Sequence, residues 1–135
     1  MQMETSVKIL IVVGTLVLTY GFLLGVPMGQ ARMKGPTAPR HLVTTHLEAL
    51  MAGAALLGLS VAAAYSALPS GLEALAAWLT VAGAGLSVAG GTVNWLMKTD
   101  DAFAARSPGF YLQAASGPLM VLGGVLLSAG VLKAL

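Results

Sequence analysis

Chemistry in this chain has few places to start. Its two histidines, His41 and His46, share one stretch with the acidic Glu48: residues 40–58, RHLVTTHLEALMAGAALLG. There a basic loop runs into an apolar helix. Imidazole carries protons near neutral pH and is a common ligand for transition metals. A carboxyl group at a membrane edge is either ionised and paired with Arg or Lys, or protonated and hydrogen-bonded. Asn94, near the end of GGTVNWL, is the remaining candidate. It would either fasten helices together or hold a substrate or an iron-bound ligand. The chain has no cysteine, which excludes disulfides, thiolate metal sites, cysteine nucleophiles and Cys-ligated heme. It also lacks GxSxG, a phosphate loop, HExxH and any paired acidic metal motif. Asp100 and Asp101 are adjacent in a loop and read as a solvated helix-capping pair.

His46, Ala49, Leu50 and Gly53 follow i, i+3, i+4, i+7 spacing and share one helix face. Beyond the imidazole that face is small and smooth. Two readings stand. His46 is an interfacial histidine satisfied by a backbone carbonyl or water. Alternatively it is an axial heme ligand, with Gly53 leaving room for a flat cofactor. His41 lies five residues earlier and points elsewhere, so the pair does not chelate one ion; it reads as a loop or headgroup residue. Glu48 lies about 160° around the helix from His46 and faces another helix or subunit. Arg32, Lys34 and Arg40 form the most basic segment. They would neutralise lipid phosphates or, with a heme present, its propionates.

The elements that must position these groups follow from composition. Only 9% of the 135 residues are charged and 57% are hydrophobic. A soluble domain carries about 25% charged residues, so the solvent for most of this chain is the lipid bilayer. Seven scattered Lys and Arg make no nucleic-acid footprint. Apolar runs predict one all-α domain, a bundle of four transmembrane helices at 6–28, 42–67, 73–98 and 110–135. The first run is long enough to span and reads as a retained helix, not a signal peptide. Gly21, Gly25 and Gly29 form a stripe that admits a close neighbour. Tyr20 either anchors at the interface or points inward, and Trp95 suits the interface. Gly83, Gly85, Gly90 and Gly91 imply backbone contact or a flat ligand on the third helix, and Gly117-Pro118 predicts a kink in the fourth. The loops at 29–41 and 99–109 fall on one side and hold Arg32, Lys34, Arg40, Lys98 and Arg106. The excess of basic residues puts both loops in the cytoplasm and both termini outside.

THLEALMAGAALLG opening the second helix, GGTVNWL ending the third, and the Gly117-Pro118 step resemble the styrene oxide isomerase family. Within that relationship the chain is similar to the short hydroxylaminobenzene mutases of nitroarene degradation. The resemblance covers most of the chain. It implies a homo-oligomer, a trimer, in a bacterial inner membrane, with heme b bound between subunits and His46 as the iron ligand. Gly53, Arg40 and Arg32 would belong to the cofactor site, and Asn94 and Glu48 to catalysis. Ala52 stands where the epoxide isomerases carry an asparagine, and Gly90 and Lys98 where they carry an aspartate and a tyrosine. The resemblance therefore implies an isomerase of a small aromatic hydroxylamine, giving 2-aminophenol by intramolecular hydroxyl transfer, in preference to an epoxide isomerase. Two other readings remain: a non-catalytic heme-anchoring subunit, and a small multidrug-type transporter, which needs a carboxylate in the first helix that is absent past Glu4.

Overall fold

The computed structural model describes residues 4–135. Five helices follow in order: α1 (Thr5–Lys34), α2 (Arg40–Ala64), α3 (Ser70–Leu96), the single turn α4 (Ala102–Ala105) and α5 (Pro108–Ala134). Four of them are long and apolar enough to cross a membrane, and they mark a multi-pass membrane protein.

Local chemistry sets the boundaries. Pro39 and Pro69 stand just before α2 and α3, with extended-type ψ values of 131° and 139°. Proline there has no amide hydrogen to leave unsatisfied. Ser107 caps α5 through its hydroxyl, which accepts from the Phe110 amide at 3.0 Å, and Pro108 fills the first turn. Asp101 caps α4 by accepting from the Phe103 and Ala104 amides, in the capping role the sequence suggested. Arg106 closes α4 in a left-handed conformation, φ 45°.

The largest departure from the expected boundaries is at the first connection. The predicted loop after the first helix is largely helical, because α1 runs to Lys34 and only residues 35–39 connect it to α2. Pro27 lies inside α1 without ending it. Neighbouring helices can satisfy a carbonyl that proline frees in a membrane helix. Pro118 likewise lies inside α5, which is one continuous helix.

The bundle forms two tight pairs, α1 with α2 and α3 with α5, which meet chiefly where α3 contacts α2 and α1. Its core is built from Leu10, Leu56, Ala63, Ala76, Ala77, Val81, Ala84 and Leu127. Larger apolar side chains such as Leu16, Phe22, Trp78 and Val121 point outward. Lipid removes the hydrophobic drive between helices, so small residues and close backbone approach hold the interior together. At one end His41 Nε2 donates to the Asp100 carbonyl at 3.3 Å, which ties the two basic loops together. At the other end the Ser6 hydroxyl donates to the buried Glu73 carboxyl, joining α1 to α3.

Candidate functional site

Helix α2 carries His46 and Glu48 on opposite flanks. His46 lies in the seam with α1, where Nδ1 is 2.7 Å from the Gly21 carbonyl. A carbonyl only accepts, so Nδ1 carries the proton and Nε2 keeps its lone pair. The ring rests beside Gly25, where an added Cβ would stand 3.5 Å from Cε1. Nε2 has no hydrogen bond among the described residues, and the bundle leaves no buried side-chain nitrogen or oxygen unsatisfied there. Nε2 of this half-buried side chain is therefore accessible. The stripe of Gly21 and Gly25, read from sequence as packing, also seats this imidazole.

Gly53 does not offer the room expected of it. A Cβ at Gly53 would lie 2.6 Å from the Leu18 amide nitrogen, so α1 already fills the space below His46. A planar group ligated by Nε2 would have to lie at the outer edge of the seam, not on Gly53. Leu50 presses on Gly21 in the same way. The seam is closed by backbone-to-backbone contact.

Glu48 faces the other way. Its Oε1 accepts from the Ser87 hydroxyl of α3. The pair lies in a groove of about 620 Å³ lined by Thr44, Leu47, Met51 and Met120 among others. Sequence placed Glu48 toward another helix, and α3 is that helix. Ser87 as its partner had no sequence signal, since a lone serine among the Gly and Ala of this helix reads as one more small packing residue.

Asn94 is fully buried where α3 meets the start of α5. Its Oδ1 accepts from the Ser107 hydroxyl at 2.6 Å and its Nδ2 donates to Gln113 Oε1 at 3.3 Å. It borders a hollow of about 360 Å³ with Arg40, His41, Trp95 and Lys98. The carboxylate of Asp101 sits below its ordinary range, held first by the Ala104 and Phe103 amides and further by the charges of Arg40 and His41. Arg40 and His41 thus act on the second loop. Arg32 lies exposed in the last turn of α1. Tyr20 points inward, and its hydroxyl lies 2.7 Å from the Thr92 hydroxyl.

Within one chain, then, His46, Glu48 and Asn94 occupy three different helix contacts. Among the described residues no three His, Asp or Glu side chains converge as a metal cluster. A single imidazole suits a cofactor that brings its own equatorial nitrogens, as heme does. Comparison with protein-family models, with curated proteins and with solved structures found no match to this chain.

Proposed function

We propose that this chain is a heme-dependent intramolecular mutase of the membrane, rearranging hydroxylaminobenzene to 2-aminophenol, as its resemblance to the styrene oxide isomerase family implies. The supporting observation is the fixed tautomer of His46: Nδ1–H on the Gly21 carbonyl, Nε2 bare and accessible. Ligating histidines commonly donate their other ring N–H to a carbonyl, which orients the ring and raises its basicity. The donor set therefore fits an iron that needs one protein ligand.

His46 would hold heme b through Nε2, and Arg32 and Arg40 at the same membrane edge would pair with its propionates. When bound, ferric heme supplies a Lewis acid for N–O heterolysis with no net redox change. The apolar exterior around the seam would keep water away, which favours return of the departing hydroxyl to the ortho carbon of the same molecule, with the displaced ring proton passing to nitrogen. A homotrimer would cover the outer face of the α1–α2 seam and enclose the cofactor between copies. Glu48 and Asn94 lie on other helix contacts of the subunit, so they would orient substrate or pass a proton only across a subunit boundary. The basic loops would face the cytoplasm of a bacterial inner membrane.

The test is an optical spectrum of the detergent-solubilised protein expressed with ample heme. A Soret band is expected in the parent protein and its loss in His46→Ala. An absent band in the parent protein sinks the heme reading. With heme bound, hydroxylaminobenzene should give 2-aminophenol; phenylacetaldehyde from styrene oxide instead would favour the epoxide isomerase. The filled space at Gly53 and the hydrogen bonds that tie Asn94 to Ser107 and Gln113 favour a second reading, a heme-holding subunit without turnover. Its signature is a six-coordinate iron that takes no external ligand.

A further inference from the structure

The groove on the far flank of α2 has a chemistry of its own, independent of heme. Its walls are almost wholly apolar, with Met51, Ala55 and Met120 among them, and its one ionisable group is Glu48. Glu48 Oε1 is held by Ser87. Oε2 has no hydrogen-bond partner among the described residues and is not sealed inside the bundle. The carboxyl group lies eight residues into α2, about 12 Å along the helix axis. At that depth a carboxyl is costly unless something donates to it.

The chain itself brings no cation there. Its basic residues are Lys8, Arg32, Lys34, Arg40, Lys98, Arg106 and Lys133, all near helix ends or in loops. A second copy would press an apolar exterior on the groove and would carry no central cation either. A lipid acyl chain has no donor for Oε2. An amine with an apolar body would supply a donor to Oε2, and an open groove of about 620 Å³ is large enough to seat a small organic molecule.

We infer that the α2–α3 groove is a binding site for small hydrophobic amines, which enter from the bilayer, place nitrogen on Glu48 and lay their apolar part along Met51, Ala55 and Met120. Ser87 positions the carboxyl by holding Oε1, which leaves Oε2 for the ligand.

Phenethylamine and its neutral counterpart 2-phenylethanol separate the headgroup contribution from that of the apolar body. Titrated into the full-length protein in nanodiscs, phenethylamine should bind about tenfold or more tightly than the alcohol, as expected for a charge-assisted hydrogen bond. Glu48→Gln should erase that difference while leaving alcohol binding unchanged. Ala55→Phe, which fills the groove and leaves Glu48 intact, should abolish binding of both. Equal affinity for amine and alcohol in the parent protein would overturn the inference. So would an amine preference that survives Glu48→Gln, or amine binding that survives Ala55→Phe. A Met51→Cys protein that cross-links fully between copies and binds no amine would assign the groove to a second subunit instead.

Discussion

The two flanks of α2 are built in opposite ways. On the α1 flank, glycines bring backbones together, and the polar His46 is held by a main-chain carbonyl. On the α3 flank, close approach is made at Gly91 against Thr45, and beside it the polar Glu48 is held by another side chain at an open groove. The difference shows how a lipid-embedded bundle divides rigidity from access. Backbone contact through glycine cannot relax, so it fixes a ring orientation. A methionine-lined groove can re-pack, so it can admit a ligand.

The largest test of that contrast is steric. Gly53→Leu forces a side chain into the Leu18 backbone and should lower stability by about 3 kcal/mol or more. Ala55→Leu, two positions on and facing the groove, should stay within about 0.5 kcal/mol. Thermal unfolding of both variants in one detergent decides it; equal losses would erase the distinction. Asn94→Ala comes next. It strips partners from Ser107 and Gln113 in a buried site and should cost about 2 kcal/mol. Glu48→Gln can still accept from Ser87 and should shift the same melting curve by less than about 1 kcal/mol. A large loss there would make Glu48 a structural brace like Asn94.

The smallest effect lies at the end of the bundle away from both basic loops. The Glu4 carboxyl is raised above its ordinary value of 4.5, first by the hydrogen bond that its protonated form donates to the Glu73 carboxyl and then by repulsion between the two groups when both are charged. A raised folded value means the contact is fully present below about pH 4.5 and fades as pH rises through the shifted value. The melting temperature should therefore fall slightly as pH rises through that window, and Glu4→Gln should flatten the slope. A slope of opposite sign would place the coupling elsewhere.

Much of the frame was legible in the residues. Hydropathy located four spans, and short Pro- and Gly-containing connections put the two basic loops at one end, where His41 and Asp100 meet. The heptad-like spacing correctly set Glu48 and His46 on different faces. Three things were not legible. The final turns of α1 read as a loop because Gly35, Pro36 and Pro39 forbid a helix just beyond them, yet the helix runs on through Arg32 to Lys34 before it meets them. Gly53 read as open space because a glycine marks close approach without saying what approaches. Glu73 served only to mark the expected start of the third helix, and nothing in the residue pattern signalled that it is buried against Ser6.

Residue pattern alone was enough to place the chain in lipid, give it four helices long enough to span, and set His46 and Glu48 inside the second, whereas His41, read as a loop residue, lies in the first turn of α2. Composition and periodicity suffice for that, because they depend only on the solvent and on each helix's own axis. Tertiary structure decided which neighbour fills each face: α1 beneath Gly53 and beside His46, α3 and an apolar groove around Glu48, Ser107 and Gln113 about Asn94. In a bilayer the inward and outward faces are equally apolar, so hydropathy cannot rank them. Only the fit of small residues against backbone does, and that fit exists once the helices are together.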